Sequence, residues 1–330
     1  MGNETTVVDR ILGPSELRYF GSGHRNSRYE LEGIEVGGDH DLKCRGTVHQ
    51  LGSWSSKNGE QRARHLSSID ALVLGLMVTE SLLRMGEDVS PTGHDLDDYQ
   101  LTGFSLHAGT HPVPAEGVPL AGKMSTTRDG CLSVSIKCGG IKEKLQFLSP
   151  ISTCGVAGEP SHRGECARAV PFMPNHLQHR IQVFHRCDLA DDGKSASMSA
   201  DLIRTDEVNF TGLGSGHSLS PSLLEYILVW AQLIEIMAYN YDNVSRDKCG
   251  NFWMRSVEIG TNGRLLPARR TDLDFVAYFT KSRLLNVAGS SFRVLSMEGN
   301  SAEGAISGKA SVAHALPSRN SAEGAVNHDG

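Results

Sequence analysis

The chain has 330 residues, with 32 basic and 38 acidic side chains and a net charge of −6. The length suits two units of ~150 residues, and a hydrophobic fraction of 39% supplies packed cores, which excludes a disordered chain. The charges are scattered without a basic stripe, which excludes nucleic acid as the main partner, and no apolar run reaches the ~18 residues of a membrane span.

The N-terminus is polar and acidic, unlike a secretory signal. Its first residues, Met-Gly-Asn-Glu-Thr-Thr, fit the loose acyl-acceptor pattern, with Gly2 and Thr6 in place. One acyl chain gives only weak membrane binding, so no stable membrane association is expected. Seven cysteines without framework spacing point to a reducing, cytoplasmic compartment.

Strand-like alternation covers Ser27–Val36 and Leu42–Leu51. Leu66–Met85 follows and is apolar around most of a helical circumference, so it must be buried on most sides. Strands are expected near Tyr99–His107, Val118–Thr127 and Cys131–Cys138, with a hairpin turn at Arg128-Asp129-Gly130. Residues 149–176 hold Pro150, Pro160, Pro171 and Pro174 among several glycines and read as a linker. The same order then repeats. His179–Cys187 and Ser195–Thr205 open the second half, and Ser220–Tyr239 is its apolar helix. Phe252–Ile259, Asp274–Lys281, Phe292–Met297 and Gly304–Ala315 are its strands, the last two joined by a turn at Glu298–Ser301. Residues 317–330 are small and polar and read as a disordered tail. The hexapeptide Asn300–Ala305 recurs at Asn320–Ala325, too short a repeat to carry structure.

Both helices open alike. Ser67 and Ser68 precede the first. Ser218 and Ser220 precede the second, with Pro221 near its first turn. An antiparallel sheet curled round one buried helix is the hotdog fold. Two copies make an α+β double hotdog, with a first unit at 1–148, a linker at 149–176, a second unit at 177–316 and a tail at 317–330. A fused pair needs no partner for its core; the sequence leaves the oligomeric state open, monomer or dimer.

The candidate chemistry lies at the helix starts. His65 precedes the first helix and Glu80 lies fifteen residues on; His217 precedes the second and Gln232 lies fifteen residues on. This resembles the hotdog acyl-thioester dehydratases, which pair a loop histidine of one unit with a helix acid of the other. The spacing here is one residue longer, about 100° round a helix. Carried over by position, His217 meets Glu80 and His65 meets Gln232. Glutamine takes no proton, so only the His217–Glu80 site does acid–base work and the other is degenerate. Arg84, four residues after Glu80, supports the plainer reading of a surface ion pair. Asp70 and Glu225, in the first turns, compete as bases, or simply complement the helix dipoles. Gly216 and Ser218 on one side, Ser67 and Ser68 on the other, with Gln232, are the candidate substrate contacts. Free amides at a helix start hold the carbonyl oxygen of a thioester as it gains charge.

Other signals carry little. Gly212-Leu213-Gly214 lacks the third glycine of a nucleotide loop. Strand alternation separates His176, His179, His185 and Cys187, so a metal site is not expected there. Arg269-Arg270 and Arg255 offer a phosphate-binding reading, beside the plainer one of solvated loop positions.

Two stretches, Ile11-Leu12-Gly13-Pro14-Ser15-Glu16-Leu17-Arg18-Tyr19-Phe20-Gly21-Ser22-Gly23 and Leu66-Ser67-Ser68-Ile69-Asp70-Ala71-Leu72-Val73-Leu74-Gly75, resemble the avirulence D (AvrD) family over roughly residues 5–316. That bacterial family directs the synthesis of syringolide-type acyl glycosides, elicitors perceived by some plants. The resemblance implies that a β-ketoacyl thioester, on coenzyme A or an acyl-carrier protein, is joined to a keto-sugar such as xylulose. It is similar to the A-factor synthases, which use a β-ketoacyl carrier protein and a glycerone phosphate. No metal or redox cofactor is implied. A hotdog dehydratase or thioesterase, and a non-catalytic effector or acyl-binding protein, stay open as alternatives.

Overall fold

A computed structural model describes residues 6–38, 40–57, 59–87, 95–127, 131–148, 169–205, 208–250, 252–261, 272–287, 289–301 and 303–317. The Arg128–Gly130 turn, most of the linker, Arg269, Arg270 and nearly all of the tail lie outside these residues.

Twelve strands form one continuous antiparallel sheet. In chain order they are β1 (Ser27–Gly37), β2 (Asp41–Gln50), β3 (Gln100–His107), β4 (Val118–Thr126), β5 (Leu132–Cys138), β6 (Ile141–Leu148), β7 (Arg180–Leu189), β8 (Ser195–Arg204), β9 (Phe252–Thr261), β10 (Asp272–Val287), β11 (Ser290–Ser301) and β12 (Ile306–Ala315). Their spatial order is β1-β2-β4-β5-β6-β3-β9-β12-β11-β10-β8-β7. Read outward from the middle, the second half repeats the first strand for strand. The seam is the β3–β9 pair, from His107 opposite Ser256 to Gly103 opposite Gly260. Among the described residues, three α-helices longer than four residues complete the frame: α1 (Val7–Leu12), α2 (Ser68–Glu87) and α3 (Leu223–Tyr241). Helices α2 and α3 are the buried axes of the two units, each packed on its own strands. The repeat order identifies a double hotdog on the topology alone.

Strand β6 was not expected. Its sequence alternates well, with Ile141, Leu145 and Phe147 turned inward, but a charged residue, Glu143, takes a fourth inward position. The Glu298–Ser301 turn expected before the last strand is instead part of β11, which pairs Glu298 with Lys309 and Asn300 with Ser307. Fixing a strand's end needs the register of its neighbour, which alternation alone does not give.

Glu143 has a physical counterpart in the other unit. A Cβ on Gly75 of α2 would come within 2.2 Å of its Oε2, so glycine makes its room. In the second unit Trp230 stands at the position of Gly75 and Gly308 at that of Glu143; a Cβ on Gly308 would lie 2.5 Å from the indole. One unit packs small helix residue against large strand residue, and the other reverses the pair. Both Glu143 carboxyl oxygens are buried without a hydrogen-bond partner, and burial pushes its pKa well up. The folded protein therefore holds a proton that the unfolded chain releases above the ordinary value of 4.5. Stability from this group is full below that pH and falls as pH rises, by about 1.4 kcal/mol per unit. A Glu143→Met variant is expected to gain about 1–3 kcal/mol at neutral pH and to lose this slope. Urea midpoints at about pH 5 and about pH 8 check both.

The segments leading into the two units are exchanged. Helix α1 packs on α3 and β7 of the second unit, whereas the four-residue helix Phe172–Asn175 packs on α2 and β1 of the first. Thr6 caps α1, its Oγ1 accepting from the Asp9 amide at 3.1 Å. Arg25 donates to the Gln178 carbonyl, and Gln178 donates to the Ser27 carbonyl at 2.9 Å. Among the described residues no helix is long and apolar enough to cross a membrane.

Candidate functional site

The helix starts are built by one device, twice. Ser67 Oγ accepts from the Asp70 amide at 3.0 Å, and Asp70 Oδ2 accepts from the Ser67 amide at 3.2 Å. Ser222 Oγ accepts from the Glu225 amide at 3.3 Å, and Glu225 Oε2 accepts from the Ser222 amide at 2.6 Å. Each is a reciprocal cap that satisfies free amides. Ser222 therefore caps α3, in place of Ser218 or Ser220, and Pro221 stands just before the cap. Ser68 is the first residue of α2.

Each capping acid is gripped from the first strand of its unit. Tyr29 Oη donates to Asp70 at 2.9 Å, and Arg180 donates to both Glu225 oxygens, at 2.8 and 2.6 Å. Burial raises the Asp70 pKa, against the pull of its hydrogen bonds from Ser67, Tyr19 and Tyr29. Both acids are almost wholly buried and committed to the caps. Arg180 and Arg204 also donate to the Ser218 carbonyl.

Two further histidines lie near these caps: His24, which the sequence did not single out, and His176, considered there only as a metal ligand. His24 and His176 occupy matching turns before β1 and β7. His24 Nδ1 faces the Tyr19 carbonyl at 3.0 Å. His176 Nδ1 faces the Phe172 and Met173 carbonyls, which leaves Nε2 to accept from the Ser222 hydroxyl at 3.0 Å. Burial pushes both imidazoles down to about 4.

Counting from the caps corrects the comparison of the two units. Glu80 lies ten residues after Asp70, and the residue ten after Glu225 is Glu235. Gln232 matches Met77. The second junction therefore holds an acid, and it is not degenerate by virtue of Gln232. The histidine-based count misled because the loops before the caps differ in length.

At the first junction the Glu80 carboxylate pairs with Arg84 at 2.6 Å and rests against the loop of the other unit. A Cβ on Gly212 would lie 2.5 Å from Glu80 Oε1, and Gly212 has a φ of 86° that favours glycine in any case. The Gly212 amide donates to Asp97 Oδ1 at 2.9 Å, and the Gly214 amide to the Leu96 carbonyl at 3.0 Å. Gly216 is exposed, close against the Asp97 carbonyl. His217 Nε2 meets the Asp98 carbonyl at 3.2 Å. His217 also lines a cavity of about 40 Å³ with Tyr99, Phe172, Met173 and the start of α3; Glu80 is not among its lining residues. A groove of about 210 Å³ over the β3–β9 seam, lined by Lys144, Glu258, Glu298 and Lys309, contains none of these candidates.

At the second junction His65 does not meet Gln232. Its ring lies 4.7 Å from Trp54 and 5.4 Å from Trp253, and burial lowers its pKa. Gln232 is buried and accepts from Arg18 at 2.6 Å. Beside it Glu235 is buried in the field of Arg18, Lys57 and Arg246. Burial raises the Glu235 pKa and the three cations oppose the rise. Burial also pushes Lys57 down to about 8. The sequence signal for Glu235 was its distance from the cap. Nothing local marked Arg18, Lys57 or Arg246, which come from three separate segments.

The family model described as Pseudomonas avirulence D protein (AvrD) matches residues 4–317. No curated protein matches the chain. Among solved structures, the chain is similar to a TesB protein of Mycobacterium avium subsp. paratuberculosis at 10% identity, covering 85% of this chain and 95% of that one, with a TM-score of 0.40. The acyl-CoA thioesterase II TesB2 of Mycobacterium marinum gives 11% identity, 88% and 96% coverage and a TM-score of 0.40. A trans-AT PKS dehydratase domain of Brevibacillus brevis gives 9% identity, 87% and 97% coverage and a TM-score of 0.38.

Proposed function

Because the chain belongs to the Pseudomonas avirulence D (AvrD) family, we propose that it is an enzyme acting on acyl thioesters, one that joins a β-ketoacyl group to a keto-sugar such as xylulose. The observation that supports this reading is the contact of Glu80 on α2 with Gly212 in the loop of the other unit. A carboxylate of one unit faces a glycine-lined loop of the other, with His217 at the far end of the same loop. Glu80, with His217 as its alternative, takes the proton of a sugar hydroxyl as that oxygen attacks the thioester carbonyl. The tetrahedral oxygen gains charge, and an amide of the glycine-rich loop or of a helix start holds it. Collapse expels the thiolate of coenzyme A or of an acyl-carrier protein, which takes up a proton, and leaves a sugar ester. Holding hydroxyl and carbonyl together converts a bimolecular step into an effectively unimolecular one.

The purified protein is incubated with a β-ketoacyl thioester and xylulose, and thiol release and product mass are followed. The reading expects release to fall by about 10²-fold or more in a Glu80→Gln, His217→Ala double variant. Unchanged release in that variant would sink the site assignment.

A further inference from the structure

The outer face of the first unit's sheet gathers positive groups in register. Lys137 on β5 stands directly opposite Lys142 on β6, and Lys142 stands directly opposite His107 on β3. The three side chains form one row across adjacent strands, about 10 Å from end to end. Lys144, two residues along β6, lies between Ser135 and Ser105. Arg255 joins them at the end of β3. Its carbonyl accepts from the Ala108 amide at 2.9 Å, and its Nη1 donates to the Gly109 carbonyl at 3.0 Å. All five side chains are exposed, and among the described residues none pairs with a carboxylate. Like charges directly opposite weaken a strand pair, so the row works against the sheet that carries it.

The surroundings select the kind of partner. Across the β3–β9 seam the face changes sign. Glu258 lies opposite Ser105, and Lys309 beyond it is already paired with Glu298 at 3.2 Å. The whole chain carries −6. A long uniform polyanion, such as duplex nucleic acid or an anionic membrane, meets repulsion as soon as it crosses the seam. Beside the lysines stand Ala121, Ser135 and Ser105, which offer nothing large and apolar to a lipid. The face is open, with the groove of about 210 Å³ along its border at Lys144 and Glu258, whereas small ligands favour closed pockets. A protein with a small acidic patch fits both the charges and the shape. We propose that this face of β5, β6 and β3 docks a small acidic protein. It lies at the opposite end of β3 from the Asp97–Gly212 contact, and the proposal does not depend on acyl transfer. The loop after His107 reaches the start of α2, where the Leu66 amide donates to the Val113 carbonyl at 2.8 Å. A partner docked there sits beside the second junction.

The test titrates two labelled acidic probes, apo acyl-carrier protein and a helical peptide with one acidic face, with the full-length protein and follows fluorescence anisotropy. At least one should bind at about 50 mM salt and weaken by about tenfold or more at about 500 mM. Lys142→Glu should weaken that binding by about tenfold or more at low salt. The same change should raise the melting temperature, because the new carboxylate faces Lys137 and His107; a misfolded variant would lower it. Lys281→Glu, at an exposed position on β10, should leave the binding unchanged. No binding of either probe at low salt overturns the proposal, as does binding that survives Lys142→Glu intact. An equal loss in Lys281→Glu also overturns it, because the attraction is then general to the surface. Duplex DNA or phosphatidylglycerol vesicles that bind more tightly than both acidic probes, and are released by Lys142→Glu, overturn it as well, because the face then serves another polyanion.

Discussion

Acidification below pH 6.5 is expected to unfold the protein with uptake of about two protons at the turns before β1 and β7. His24 and His176 have an unfolded value of 6.5 and are pushed down to about 4 by burial. Their folded values are lowered, so below pH 6.5 the unfolded chain binds protons that the native state refuses. The stability they confer is full above that pH and falls as pH drops toward 4, by about 3 kcal/mol for each histidine. His65 and His314, also lowered by burial, add in the same direction. Glu143 acts oppositely, gaining stability as pH falls toward 4.5. Urea unfolding from about pH 7.5 to about pH 4.5, in wild type and in Glu143→Met, separates the two slopes. His24→Gln and His176→Gln should each remove about one proton from the acid slope. His176→Gln should also loosen the α3 cap, since His176 Nε2 accepts from Ser222. An acid slope unchanged in the double histidine variant would show that these rings are not the groups that titrate.

Replacing Arg180 by methionine is expected to cost about 3–5 kcal/mol, the largest single-residue effect here. Arg180 and Glu225 are 4% and 1% exposed, and the arginine reaches both carboxylate oxygens. Removing it leaves Glu225 charged, buried and dependent on the Ser222 amide. It also strips a donor from the carbonyls of Ser218 and Ser220. The double variant Arg180→Met, Glu225→Gln should recover a large part of the loss, because the unpaired charge is then gone. The matching change in the first unit, Tyr29→Phe, should cost less, about 1.5–3 kcal/mol, because Asp70 keeps its contacts to Ser67. Denaturant midpoints for the four proteins measure the difference. A Tyr29→Phe loss as large as that of Arg180→Met would contradict this view of the caps.

Much of the frame was legible from periodicity. Both buried helices and all but one of the sheet strands follow from alternation and from apolar runs bounded by glycine, proline and serine. Strand β6 was hidden because Glu143 occupies an inward position, and its tolerance there depends on Gly75, sixty-eight residues away. The site was less legible, for a related reason. Histidines His65 and His217 stand out in sequence, yet they sit in loops of unequal length, so counting from them misaligned the helices by three residues. The capping boxes are the better ruler, since hydrogen bonds fix Asp70 and Glu225 to the first turn of each helix. Counted from them, Glu80 and Glu235 become equivalents in different surroundings. Helix α1 and Arg18 cross over to cover α3, and Glu235 is buried among cations. Glu80 keeps a solvent-facing partner in Arg84, whose side chain is 57% exposed. That exchange of leading segments is a tertiary event, and no local pattern announces it. Two copies of one scaffold thus carry unlike junctions.

The most direct measurement is the rate of thiol release from a β-ketoacyl thioester as the keto-sugar concentration is raised. The proposed mechanism predicts a rate that climbs with sugar and saturates, with one acylated sugar formed for each thiol released. Release that ignores the sugar and yields the free acid would mark a thioesterase. Binding of the thioester with no release at all would mark an acyl-binding protein, and either result would contradict acyl transfer at the junction of the two units.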